Sequence, residues 1–474
     1  MSTSSTADLP TDPTAALASR NPADPEDVVT LVEPVGAAAV ARAAERARAA
    51  QPGWLRVGAA FRSGALDSAA SALAADAEGF AALIVREVGK PAAEARGEVA
   101  RAVAILRYYA QAPYLPVGEI HDPSAGDGLL YTRRHPHGVA GLITPWNFPL
   151  AIPLWKAAPA LATGNCVLLK PAPEATACAA RLAGLLAEAL PADVFSLLPG
   201  GAHEGAALID VSDVVSFTGS TAVGRSVVRA ATGRGIPVQA ELGGQNAALV
   251  LPDADIESVA GHVAAAVAGY AGQKCTATSR VIAVGSAAEP LREALAAALR
   301  DFPVGDPGDP GTACGPLIGP AALDRVTRLQ QGVAAAGGRV LAGGDRLDRP
   351  GWYSAPTLVE GVPDDHPLAV EEVFAPIALL RTAATVEEAV ALADGVRHGL
   401  VASVHTRDLD TALALAGQLH VGMLKVNAPT TGVDFHLPFG GSKASGLGPR
   451  EQGRAALEFY TESRTVSLLP GGRR

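Results

Sequence analysis

From Gly138 onward, short runs of β-type apolar residues alternate with longer helical stretches, and this alternation constrains the fold more than any other feature of the chain. The runs fall at residues 139–144, 166–170, 194–198, 214–218 and 237–242, with helices expected over 150–162 and 175–189 and one more before 237. Parallel strands need a crossover between them and a helix supplies it, so the pattern predicts βαβ units with helices covering the sheet. A second block of the same kind begins near Asn246, with strands expected at 247–251, 279–284, 377–381, 401–404 and 424–426 and helices at 256–269, 288–300 and 386–396. Two α/β units are the simplest division.

Residues 36–51 read as a helix that sets Val40, Ala43, Ala44 and Ala47 on one stripe and Arg42, Glu45 and Arg46 largely elsewhere, and more helices follow to about Ala110. Gly, Asp, Pro and Ser interrupt the pattern over 120–132, and 129–134 then reads as a strand, a hairpin-like excursion. The stretch 461–469 also reads as an exposed strand, so the two offer edges that oligomerisation would cover. Met1–Thr14 lacks a basic segment followed by an apolar one and reads as a loose tail, not a signal peptide.

Composition narrows the partners. With 49% apolar and 18% charged residues the chain is not mainly disordered, and no apolar run approaches the roughly 20 residues of a membrane span. A net charge of −10, with no basic run beyond pairs such as Arg133-Arg134, argues against nucleic acid and for a small-molecule or protein partner. Four cysteines are too sparse for a disulfide framework, and none shows metal-ligand spacing, so a reducing compartment, the cytoplasm, is expected and no metal.

Four local patterns carry possible chemistry. Gly272-Gln-Lys-Cys275 places a cysteine in a turn after a Lys, where a neighbouring cation or a helix N-terminus would favour an exposed, activated thiolate. Glu241-Leu-Gly-Gly244 puts a carboxylate at a strand end beside two glycines that admit close neighbours. Thr144-Pro-Trp-Asn147-Phe-Pro149 stiffens a turn around an amide, and Phe217-Thr-Gly219-Ser220 could seat a pyrophosphate at a helix N-terminus. Each has an ordinary alternative: a packed free thiol, a solvated strand end, a turn-forming Asn, a common Gly-rich turn. Cys166 and Cys178 read as packing residues, and Cys314 as a loop residue without a role.

Together these patterns resemble the aldehyde dehydrogenase superfamily from about Asn21 to Thr465. The matching pieces, in order, are Thr144-Pro-Trp-Asn-Phe-Pro149, Gly164-Asn-Cys-Val-Leu-Leu-Lys-Pro171, Phe217-Thr-Gly-Ser-Thr-Ala-Val-Gly224, Glu241-Leu-Gly-Gly244, Gly272-Gln-Lys-Cys275, Glu371-Glu-Val-Phe-Ala-Pro376 and Pro438-Phe-Gly-Gly-Ser-Lys443. The resemblance implies an α/β aldehyde dehydrogenase fold: a Rossmann-like NAD(P)-binding domain (1–117 and 136–246), an α/β catalytic domain (247–456) and a small β oligomerisation arm (118–135 and 457–474). It further implies Cys275 as nucleophile, Asn147 with the Cys275 N–H as oxyanion donors, and Glu241 as the base that activates the hydrolytic water. NAD or NADP would be held by Thr144, Trp146, Lys170, Gly219, Ser220, Glu372 and Phe374, in a homodimer or homotetramer.

Three departures stand out. Members that prefer NAD usually carry a Glu three positions after the Lys; here that position is Pro173, with Glu174 one step later, so the cofactor choice stays open. Ala375 stands for the usual Gly, and one extra residue precedes Arg450. The stretches Val426-Asn-Ala-Pro-Thr-Thr-Gly-Val-Asp434, Arg450-Glu-Gln-Gly453 and Gly272–Arg280 are most similar to bacterial 2-oxoglutarate semialdehyde (2,5-dioxopentanoate) dehydrogenases. By that analogy Phe148, Ala151, Trp155, Thr276 and Phe439 line the substrate tunnel, and Arg101 binds a substrate carboxylate unless it pairs with Glu94 or Glu98 on its own helix. A dehydrogenase for another small or aromatic aldehyde is the alternative. A CoA-acylating semialdehyde dehydrogenase typically lacks the base that Glu241 supplies.

Overall fold

A computed structural model describes residues 16–469. The expected tail, Met1–Thr14, lies outside them.

The first α/β block forms a six-stranded sheet in the order Gly446–Leu447, Val238–Glu241, Val214–Thr218, Val139–Ile143, Cys166–Lys170, Phe195–Leu197. All neighbours are parallel except the pair made by Gly446–Leu447, where the chain returns from the second block to close the edge. After Phe195–Leu197 the chain crosses back to the far side of Val139–Ile143, so the strand order reverses between Val139–Ile143 and Val214–Thr218. Ligands of open α/β sheets bind at the carboxyl ends of strands at such a switch point. Helix Ala151–Ala162 is buried along its whole length, Lys156 included, because neighbouring elements enclose it on every side.

The second block is a seven-stranded sheet in the order Arg339–Ala342, Thr357–Glu360, Ile377–Ala383, Thr278–Val284, Asn246–Val250, Val401–His405, Met423–Val426, parallel but for the first pair. The excursion and the final segment form one three-stranded antiparallel sheet: Thr461–Leu468 pairs with Leu129–Pro136, which pairs with Ile120–His121. The helix Gly36–Arg56 buries Val40, Ala43, Ala44 and Ala47, the stripe read from the sequence.

Two regions differ from the sequence reading. The segment around Asn21-Pro22 is a hairpin, Leu17–Asn21 against Asp24–Val32, where no strand was expected. Its anchors are distant: Arg86 pairs with Asp27 (2.6 Å) and Ser19 donates to the Glu174 carbonyl (3.2 Å). The edge strand Arg339–Ala342, its neighbour Thr357–Glu360 and the helix Pro320–Gly332 also lie outside the elements that the sequence predicts. Among the described residues, no single helix is long and apolar enough to cross a membrane.

Candidate active site

The loop carrying Cys275 is bent by two consecutive left-handed residues, Tyr270 (φ 52°) and Ala271 (φ 53°), before the strand Thr278–Val284 begins. Gly272 follows at φ +68°, and a Cβ there would collide with the Ala375 carbonyl, so Gly is required for the loop to close on the 371–376 segment. Asn246 fixes the other flank: its Nδ2 donates to the carbonyls of Cys275 and Ala277, both at 2.7 Å. A Cβ on Gly244 would stand 2.8 Å from the Cys275 carbonyl, and one on Gly243 would meet the Glu372 carboxylate. The two glycines after Glu241 therefore admit those neighbours, as the sequence suggested.

Among the described residues, Cys275 alone lines both of two cavities that meet at its loop. One, of about 250 Å³, contains Arg101, Phe148, Trp155, Thr276 and Phe439, together with Glu94, Glu98 and Lys274. Ala151, expected on the same wall, is instead buried in the first turn of its helix. The other, of about 260 Å³, lies at the switch point and contains Trp146, Asn147, Gly219, Ser220, Glu372 and Phe374. Trp146 and Phe374 meet edge to face there, with centroids 5.7 Å apart.

Thr144 and Lys170 lie next to this second cavity, at the ends of adjacent strands, without lining it. The Thr144 N–H donates to the Lys170 carbonyl (3.1 Å), and Lys170 Nζ donates to the carbonyls of Pro171 (2.7 Å) and Gly200 (3.0 Å). Burial pulls the Lys170 ammonium down to about 8. The hydroxyls of Thr144 and Thr218 are buried without a hydrogen-bond partner. Unsatisfied hydroxyls at strand ends, beside the N-terminus of helix Thr221–Gly233, fit a polar, phosphate-bearing ligand.

Asn147 donates from Nδ2 to the Gln273 carbonyl (3.0 Å), which orients the amide and leaves its second N–H unengaged. Glu241 is buried, not a solvated strand end: its Oε2 accepts from the Gly441 N–H (3.1 Å), and it lines neither cavity. Burial pushes its carboxyl up to about 8, against the opposing pull of the Gly441 N–H, Lys156 and Arg450. Glu372 accepts from the Gly244 N–H (3.0 Å), and burial raises it to about 7.

The expectation of a cation-activated thiol needs correction. The Lys274 ammonium is committed to Glu94 (2.8 Å), and burial, with the carboxylates of Glu372 and Glu241 nearby, pushes the Cys275 thiol up to about 12. The resting group is the neutral thiol.

Sequence reasoning missed Arg325, which lines the second cavity and donates to the Glu372 backbone carbonyl (2.7 Å), fixing the main chain that bears that carboxylate. On the amphipathic helix Pro320–Gly332 it reads as an ordinary surface cation. Asn246 was in view, but its role depends on a loop 29 positions away.

The aldehyde dehydrogenase family model matches residues 10–466. The chain belongs to the aldehyde dehydrogenase family. An aldehyde dehydrogenase of this kind has a similar curated relative in the alpha-ketoglutaric semialdehyde dehydrogenase of Bacillus subtilis, 38% identical over 95% of this chain and 94% of that one. The alpha-ketoglutarate semialdehyde dehydrogenase of Haloferax volcanii is 37% identical over 94% of each. Among solved structures, the NAD-dependent aldehyde dehydrogenase from Sinorhizobium meliloti superposes with a TM-score of 0.93 at 34% identity, covering 97% of this chain and 92% of that one. The aldehyde dehydrogenase fold and an NAD or NADP cofactor follow from this membership.

Proposed function

We propose that the chain oxidises a small ω-oxo acid, of the 2-oxoglutarate semialdehyde type, to the dicarboxylic acid, with Cys275 as nucleophile. The position of Cys275 between two cavities carries this reading: one side admits an aldehyde, the other a nicotinamide. Cys275 gives its thiol proton to solvent and adds as the thiolate to the aldehyde carbonyl, and the free N–H of Asn147 with the Cys275 backbone N–H stabilises the oxyanion of the thiohemiacetal. Bound NAD(P)+ supplies the acceptor for the hydride whose loss leaves a thioester. Glu241 then takes a proton from the attacking water, reaching it by side-chain rotation away from Gly441.

Gly219 and Ser220 would hold the pyrophosphate on the helix N-terminus, Glu372 the nicotinamide ribose and Lys170 the adenosine ribose, with Trp146 and Phe374 as the aromatic walls and Thr144 at the strand end. The division into NAD(P)-binding (1–117, 136–246), catalytic (247–456) and arm (118–135, 457–474) segments belongs to the same reading. So does pairing of copies into a homodimer or homotetramer through the three-stranded sheet, whose edges are unpaired among the described residues. Four free cysteines fit the cytoplasm.

The anionic substrate rests on Arg101. The carboxylates that would have neutralised it are engaged elsewhere, Glu94 with Lys274 and Glu98 with Lys90, and among the described residues no carboxylate pairs with Arg101. An unpaired guanidinium on the wall of an aromatic cavity suits a substrate carboxylate. Kinetics of Arg101→Ala on matched anionic and neutral aldehydes test this: kcat/KM should fall more than tenfold for the ω-oxo acid and little for the neutral aldehyde. Equal changes for both sink the substrate assignment, and turnover that requires CoA sinks the hydrolytic mechanism.

A further inference from the structure

An ion pair that no step above uses lies behind the first cavity, which Glu98 lines. Lys90, between helices Ala77–Val88 and Ala92–Ala110, is fully buried and pairs with Glu98, itself 3% exposed. Its ammonium stands 3.8 Å from the centroid of the Phe148 ring and 4.7 Å from that of Tyr270. Glu98 turns its other oxygen to the N–H groups of Leu150 (2.9 Å) and Ala151 (3.0 Å), at the start of helix Ala151–Ala162.

The two rings belong to the two halves of the reaction centre. Phe148 follows Asn147 directly, and Tyr270 opens the left-handed bend that leads to Cys275, with its hydroxyl donating to the Val88 carbonyl (3.2 Å). A buried ammonium between two aromatic faces attracts both, and Glu98 opposes the downward pull of burial on its pKa. The link through Lys90 is therefore shared between the turn that bears the oxyanion donor and the loop that bears the nucleophile.

We propose that Lys90, held by Glu98, is a positioning residue that clamps Phe148 and Tyr270 and so fixes where the Asn147 amide stands relative to the Cys275 thiol. The inference rests on the reading of Asn147 and Cys275 given above. Misplacement by about 1 Å costs on the order of a hundredfold in rate, so a small repacking of the rings is enough to register.

The test is a double-mutant cycle on the full chain, read by stopped-flow NAD(P)H formation. Lys90→Met keeps the length of the side chain and removes the charge; the burst rate should fall about tenfold to a hundredfold while the KM for NAD(P) stays within about twofold. Lys90→Arg, whose guanidinium also stacks on aromatic rings, should recover part of the loss. The deciding readout is Asn147→Ala in each background. If Lys90 positions that amide, the penalty of Asn147→Ala shrinks in Lys90→Met by tenfold or more relative to wild type. A full, additive Asn147→Ala penalty, or an unchanged burst in Lys90→Met, overturns the proposal. Should Lys90→Met fail to fold, Glu98→Gln keeps the acceptor for Leu150 and Ala151 and leaves the ammonium uncompensated, and the same cycle applies. A wild-type chain without a burst, or insensitive to Asn147→Ala, contradicts the parent reading instead, so the two failures are separable.

Discussion

Glu241→Gln keeps the shape of the side chain and an acceptor for the Gly441 N–H (3.1 Å) but removes the base. Burial holds the Glu241 carboxyl up at about 8. Roughly one molecule in ten then carries the carboxylate at pH 7 and roughly nine in ten at pH 9, so steady turnover limited by thioester hydrolysis rises about tenfold over that interval. Glu241→Gln flattens the rise and lowers steady kcat by about 10²- to 10⁴-fold, the contribution of a positioned base. The first turnover survives, because the thioester forms before the base is needed. Stopped-flow absorbance across the pH range separates the burst from the steady slope. Stability runs the opposite way: the folded pKa lies above the ordinary 4.5, so stability is fully present below about 4.5 and is lost as pH rises through about 8, by a few kcal/mol. Glu241→Gln lacks this loss, and its Tm should gain on that of wild type as pH rises from 5 to 9. Disappearance of the burst would reassign Glu241 to thiol deprotonation, and a wild-type kcat flat from pH 6 to 9 would refute the argument.

Asn147→Ala removes one oxyanion donor and should lower kcat about 10²- to 10³-fold, or roughly 3–4 kcal/mol, with KM for NAD(P) nearly unchanged; a loss confined to KM contradicts the role. Glu174 lies close enough to Lys170 for the ammonium to act on its carboxyl, although it sits one position later than expected. Glu174→Ala should therefore shift kcat/KM toward NADP by about tenfold, and an unchanged NAD:NADP ratio shows that the displaced carboxylate does not read the ribose. Gly244→Ala places a Cβ 2.8 Å from the Cys275 carbonyl and should depress the burst while far-UV circular dichroism stays native; a normal burst would show that the loop can yield there.

The core of the fold was legible because its signals are local. Apolar runs such as 139–144 and 166–170, bounded by Gly and Pro and separated by Ala- and Leu-rich helices, state their own period, and the strands Val139–Ile143 and Cys166–Lys170 fall where the runs predict. The hairpin Leu17–Asn21/Asp24–Val32 was illegible, since Arg86 and Glu174, which anchor it, lie far along the chain. The same division runs through the site. Asn147 and Cys275 in turns and Glu241 at a strand end, all marked by neighbouring Pro or Gly, could be singled out, while Arg325, Asn246, Lys90 and Glu98 act only through partners that folding brings to them. The thiol shows the limit most clearly: Lys274 precedes Cys275 in sequence, yet its charge goes to Glu94, and burial sets the acidity of the sulfur.

Acid-quenching Glu241→Gln during turnover of an ω-oxo acid with NAD(P)+, followed by peptide mass spectrometry, tests the covalent route directly. The account predicts a peptide containing Cys275 whose mass is raised by the acyl group of the substrate, in near-stoichiometric yield. An acyl group on a different residue, or none at all while the wild-type chain oxidises the same aldehyde, would contradict it.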